Sequence, residues 1–231
     1  MRYPFAVSDV ALGFAGTLAV LAAWEFAARS GIIDAAIFPS PLLAAKNAST
    51  QLTLTDVLVH TGWSLLRVVV GFSIGALAGI VIGIAAGWYR IAGYFFVPLI
   101  ELLRPIPPLA WIPLAIIWFG LGESSKFFMI FLGAFFPVVT AAYWGVTSVD
   151  PVLIRAAQSF GLKGVQLLMR VAIPGAAPDL ATGLRIGWGL SFGVLVAAEL
   201  IAAEKGLGYL IMHARLLGDG NVIVVGILLI G

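Results

Sequence analysis

The sequence has 231 residues, of which 61% are hydrophobic and only 10% charged, with a mean hydropathy of +1.09. Soluble domains carry about 25% charged residues, so the chain reads as an all-α polytopic membrane bundle. Its net charge of +2 is a mild positive excess of the kind that orients membrane proteins, and nucleic-acid binding is set aside. There is no cysteine, which excludes disulfides, thiolate catalysis and cysteine metal sites, and His60 and His213 lie far apart with no HExxH-type spacing. No metal and no cofactor are expected.

Taken in order, residues 11–28 form the first apolar span, ALGFAGTLAVLAAWEFAA. A secretory signal peptide is the competing reading, but Trp24 and Glu25 stand where a small-residue cleavage site belongs. Glu25 is expected to face protein or the interface. After the FPSP turn, PLLAAKNASTQL reads as a short amphipathic surface helix. Residues 55–88 read as one helix, roughly 50 Å long at about 1.5 Å per residue and so longer than a hydrocarbon core of about 30 Å. His60, Ser64 and Arg67 give its first half a polar face. Gly71, Gly75, Gly79, Gly83 and Gly87 form a stripe along its second half, suited to close packing within the chain or against another subunit.

The next apolar stretch, GYFFVPLIELLRPIPPLAWIPLAIIWFG, holds Pro105, Pro107 and Pro108 near its middle, which no regular helix accommodates together. Broken backbone and intramembrane charge are both tolerated chiefly against protein or a watery cavity. Glu101, Arg104, Pro105 and Pro107 therefore either border a polar path or, since Glu101 and Arg104 stand three apart, form a self-neutralised pair. GLGES (120–124) reads as an external turn and 125–147 as a span.

Residues 150–178, DPVLIRAAQSFGLKGVQLLMRVAIPGAAP, are the long polar interruption late in the chain. Asp150 is an N-cap, Pro151 takes the first helical position and Gly161 the C-terminal stop, so 151–160 reads as a short helix. A second helical piece, 163–172, is expected to end before Pro174, and 180–202 spans again with Arg185 near its start and Glu199 near its end. AAEKGLGYLIMHARLLGDGN reads as a loop carrying a short amphipathic helix. The final run VIVVGILLIG has ten apolar residues where a span needs about 20, so either it does not span or, the expectation taken here, it is a span cut short at Gly231.

Counting Lys and Arg near the span ends favours an inside N-terminus. Arg2, Arg90, Arg155, Lys163 and Arg170 then lie inside, and Lys46, Lys126, Lys205 and Arg215 lie outside among Asp34, Asp56, Glu123, Glu204 and Asp219. That places 150–178 in the cytoplasm. A short helix held there between two spans is a rigid peg offered to something outside the membrane.

The chain has no GxxxxGK[ST]; GLGESSK shares only composition with it, so nothing cradles a nucleotide's phosphates. No GxSxG or SxxK supports acyl chemistry. The chain is read as a non-catalytic subunit.

Ala156-Ala157, then Gly161, then Ile173-Pro174 share the spacing of the "EAA" loop of bacterial ABC importer permeases, with Arg155 where that family has Glu. RPIPPLAWIPLAIIWFGLGESSK, IRAAQSFG and VAAELIAAEKGLGYLI resemble the nitrate/sulfonate/taurine/bicarbonate branch, and within it the taurine and alkanesulfonate permeases. The resemblance covers roughly residues 38–231. It implies one six-span, type I permease domain over 1–231, with its core at about 55–231 and its coupling loop at 150–178. It also implies a permease dimer, formed with a second copy of the chain, two separate ATP-binding subunits, and a periplasmic solute-binding protein in a bacterial inner membrane.

The same resemblance assigns contact with the ATP-binding subunit to Asp150, Arg155, Ala156, Ala157, Gln158, Ser159, Phe160, Gly161, Leu162 and Lys163. The cargo it implies is a small anion, taurine or another aliphatic sulfonate first, with nitrate, bicarbonate or a thiamine-precursor-like heterocycle as alternatives. Glu101, Arg104, Pro105, Pro107, Arg185 and Glu199 are the candidate path residues. The rival class is a channel or secondary transporter that works without ATP.

Overall fold

The computed structural model describes residues 7–30 and 39–230. Arg2, Asp34, Phe38 and Gly231, which entered the orientation and boundary expectations, lie outside them. The chain divides into two compact units, residues 1–61 with 205–231, and residues 62–204.

In the first unit, α1 (Val7–Arg29) is a 23-residue helix over the expected first span. Glu25, near its end, pairs with Arg29 and accepts hydrogen bonds from Ser40 Oγ at 2.7 Å and Leu42 N at 3.2 Å. It thereby anchors the start of α2 (Pro41–Gln51), which Ser40 caps and where Pro41 costs no hydrogen bond. Ala48 of α2 packs with Leu210 and Ala214 of α10 (Leu207–Leu217) and Val222 of α11 (Gly220–Ile230) in one apolar cluster. The turn between α10 and α11 uses Gly218 at φ +72°, with Asp219 Oδ1 capping the N–H groups of Asn221 and Val222. His60 Nδ1 accepts from Gly206 N at 3.0 Å and its ring stacks on Tyr209, fixing the segment before α10.

The second unit is built on α6 (Glu123–Thr147). The helix α3 runs unbroken from Leu54 to Trp88, as its apolar pattern required. Its glycine stripe lies on α6. A Cβ added at Gly75 would stand 2.6 Å from the Phe131 carbonyl oxygen, and one at Gly83 2.5 Å from that of Val139. The stripe therefore serves packing within the chain. Gly83→Val is expected to cost about 1–3 kcal/mol through overpacking. Gly189→Ala, with open space at its Cβ position, should be neutral or slightly stabilising; thermal unfolding in detergent compares the two.

After α4 (Arg90–Leu103) the proline run breaks the helix. A 3₁₀ turn (Pro108–Trp111) leads into α5 (Ile112–Phe119), and the two arms bend by 90°. Next come α6, then α7 (Pro151–Ser159) and the single turn α8 (Gly164–Leu167). The second helical piece does not end before Pro174. A π-helical stretch, Leu168–Ala172, joins it directly to α9 (Ile173–Ala202), giving one helical run that is 38 residues long from Gly164 to Ile201. The looser π turn accepts Pro174, whose missing N–H falls where the helical register is already changing.

Residues 164–178 are thus helix, and the open part of the 150–178 segment is short. The lines α6 and α9 share are also small: an added Cβ at Gly183 would stand 2.3 Å from Ala141 Cβ, and one at Gly145 3.0 Å from Ala176 Cβ. Among the described residues three helical runs, 54–88, 123–147 and 164–201, are long and apolar enough to cross a membrane, and the bent pair makes a fourth if taken as one span.

Candidate functional site

Two places concentrate the residues singled out in the sequence. The first is α7. Asp150 accepts from Val152 N at 2.7 Å, and Pro151 opens the helix. The helix closes in a Schellman turn, in which Leu162 N donates to Ala157 O at 3.1 Å and Gly161 N to Gln158 O at 2.9 Å. Gly161 sits at φ +85°, which explains the glycine. Ser159 Oγ donates back to Arg155 O at 3.1 Å.

No residue of α7 is buried, and Ala157 and Leu162 are only half-buried. Arg155, Ala156, Gln158, Ser159 and Lys163 are exposed. Phe160 is 89% exposed, and Val152, Leu153, Val165 and Met169 on α7 and the helical run after it are exposed as well. A capped, apolar helix with no buried face has no packing reason within this chain to carry those side chains.

The second place is a cavity of about 450 Å³ between α6, α9 and the break after α4. Arg104 and Pro108 line it from the break, Thr140 and Trp144 from α6, and Asp179 and Thr182 from α9. Arg104 reaches Glu101 at 3.5 Å, with both side chains about half exposed. Glu101 does not line this cavity; it lines a separate, smaller pocket with Thr140 and Trp144. Pro105 and Pro107 shape the bend itself. The Glu101–Arg104 pair therefore forms, and Arg104 also lines a cavity.

Arg185 and Glu199 are elsewhere. Arg185 is exposed on α9 and does not line the cavity. Glu199 is buried: it accepts from Arg67 Nη1 at 2.7 Å and from Ser64 Oγ at 2.9 Å. Arg67, itself 2% exposed, also donates to Glu123 at 2.6 and 2.7 Å, and Lys126 Nζ completes the set at 2.8 Å from Glu123. The guanidinium lies over Trp63, 5.5 Å from the ring centroid. Two cations and two carboxylates thus tie α3, α6 and α9 at the end of α6 remote from α7. Such a network holds helices in register and offers no open charge to a solute.

Sequence reading missed three members of these sites. Glu123 falls in the expected GLGES turn and Lys126 counts only as an outer-side charge at the start of the 125–147 span, yet both lie on α6 within the ion-pair network. Asp179 was left outside the span by starting it at 180. The available signal was its position as a lone acid in a long apolar run.

Residues 57–231 match the family described as "Binding-protein-dependent transport system inner membrane component". A protein of Methanocaldococcus jannaschii named as an ABC transporter permease is 46% identical over 169 residues, 73% of this chain and 63% of that protein, so the chain spans just under two thirds of that relative. The taurine transport system permease protein TauC of Escherichia coli is 42% identical over 221 residues, 93% of this chain and 80% of TauC. An Escherichia coli protein named as the aliphatic sulfonates transport permease SsuC is 36% identical over 210 residues, 91% of this chain and 80% of SsuC.

Proposed function

Since the chain belongs to the binding-protein-dependent transport system inner membrane components, the permease subunits of ABC transporters, we propose that α7 is the peg by which separate ATP-binding subunits drive it. The observation that carries this is the unburied helix with Phe160 exposed at its C-terminal end, just before Gly161. ATP hydrolysis belongs to the partner chains, because this sequence has no phosphate-cradling loop. Ala156 and Ala157 let the peg seat closely, while Arg155, Gln158, Ser159 and Lys163 offer polar contacts at its rim. Closure of two ATP-binding subunits pulls two such pegs, one from each permease copy, and rocks the helices between inward and outward openings.

The working assembly is a permease homodimer with two ATP-binding subunits and an extracytoplasmic solute-binding protein. Its N-terminus lies in the cytoplasm, on the side of Arg90, Arg155, Lys163 and Arg170. The cargo is a small aliphatic sulfonate, taking its class from the relatives TauC and SsuC. The test is reconstitution in proteoliposomes. ATP-dependent sulfonate uptake is expected only when permease, ATP-binding subunits and solute-binding protein are all present. Uptake by the permease alone would establish the rival reading of an ATP-independent carrier or channel.

A further inference from the structure

We infer that the pocket where the α3–α4 turn meets the end of α6 binds the phosphate headgroup of an anionic phospholipid, with the acyl chains running along α4. The inference goes beyond the transport reading and needs only that the helices lie in a bilayer. The pocket has a volume of about 370 Å³. Trp88 and Arg90 line it at the turn, Tyr94 and Pro98 from α4, and Tyr143 and Thr147 from α6.

The polar lining is cationic and rich in donors. Arg90 is its one formal charge, and no carboxylate lines the pocket. Among the described residues Arg90 has no ion-pair partner. Its side chain donates to Tyr94 Oη at 3.0 Å and lies 5.9 Å from that ring's centroid, which leaves most of the guanidinium N–H groups open. Tyr94 accepts in that bond, so its own O–H remains a donor. Among the described residues the Tyr143 O–H has no hydrogen-bond partner. A guanidinium and two phenols in one pocket match a phosphate diester, which is charged and only accepts. Arg90 and Tyr94 are exposed and Tyr143 is half-buried, as a headgroup site open to the membrane surface requires.

The face of α4 decides between a lipid and a free phosphate. Ile91, Phe95, Leu99 and Leu102, spaced four, four and three apart, are all exposed and form one apolar row. Tyr94 and Pro98 stand three residues after Ile91 and Phe95, on the neighbouring row. From Ile91 to Leu102 the row is roughly 16 Å long at about 1.5 Å per residue, close to half of a hydrocarbon core of about 30 Å. That is the depth of one leaflet, and a soluble phosphate has no use for it. Trp88, Tyr94 and Tyr143 mark the headgroup level, where amphipathic rings settle. Basic pockets between membrane helices recognise acidic lipid headgroups at that level.

The test uses the permease assembled with its ATP-binding subunits, with lipid retention read by native mass spectrometry. Phosphatidylglycerol is expected to bind about tenfold more tightly than phosphatidylcholine, whose trimethylammonium brings a second cation to Arg90. Arg90→Gln should remove that preference. Tyr143→Phe changes no charge and should weaken phosphatidylglycerol about threefold, the share of one neutral hydrogen bond. Diffuse attraction to a basic surface would not register that change. Arg104→Gln, which removes an exposed cation outside the pocket, should leave retention unchanged. Millimolar inorganic phosphate should not displace the lipid.

Equal retention of the two lipids, a preference that survives both Arg90→Gln and Tyr143→Phe, or displacement by inorganic phosphate would overturn the inference. So would a disulfide between two copies of a Phe95→Cys variant, which would set the row of α4 against a second copy; the chain has no other cysteine to form it. Sulfonate uptake by the complete assembly tests the transport reading separately, and none of these lipid outcomes decides it.

Discussion

Arg67→Ala is expected to destabilise the purified subunit by about 3–5 kcal/mol, the usual consequence of removing one partner from a buried ion pair. The substitution takes from Glu199, whose side chain is 0% exposed, the guanidinium bonded to it at 2.7 Å. It also removes the cation from over Trp63. Glu123 is less affected, because Lys126 remains 2.8 Å away and its own side chain is 39% exposed. The double variant Arg67→Met/Glu199→Leu should recover much of the loss, since apolar groups of similar volume leave no buried charge unpaired. Thermal or denaturant unfolding of the three proteins in detergent measures this. If the single and double variants fall equally, the network acts through shape and not charge. Arg104→Gln provides the contrast: its half-exposed pairing with Glu101 should change stability by no more than about 1 kcal/mol.

Gly161→Asp should leave the helical bundle folded and separate it from its ATP-binding subunit, with co-purification falling about tenfold or more and ATP-driven uptake lost with it. Residue 161 sits at φ +85°, where a side chain is strained by about 1–3 kcal/mol. No atom lies within 4 Å of its Cβ position, so the strain is relieved by moving the turn and not by unfolding a core. The Schellman closure onto Ala157 and Gln158 would then open and re-aim Phe160. Phe160→Asp tests the same contact without touching the backbone, since that ring is 89% exposed and supports nothing within the chain. Normal uptake in both variants would remove α7 from the drive mechanism. Loss of uptake with the ATP-binding subunit still bound would instead place the defect in transmission of motion.

These two predictions concern opposite ends of α6, and they differ in how far they could be read beforehand. The short helix α7 was legible because its signals are local: an N-cap, a proline at the first turn and a glycine at the stop lie within twelve residues, and each acts on its immediate neighbours. The break at Pro105–Pro108 was legible for the same reason, as was the length of α3. The continuous helix through Pro174 was not, because a π turn is a change of register that no single residue type announces.

What the sequence alone determined here is the membrane class, the helical pieces, the close-packing glycine stripe and the short capped helix between two apolar runs. Composition, periodicity and backbone chemistry act over a turn or two of chain and need no partner. The tertiary structure alone decided which charges meet. Arg67 and Glu199 lie 132 positions apart and yet bond at 2.7 Å, and Arg104 and Asp179 come to one cavity from separate helices. A charge in an apolar run states only that it must be satisfied. Whether an opposite charge, a backbone or a solute does so depends on which helices pack together, and that is set by the whole bundle at once.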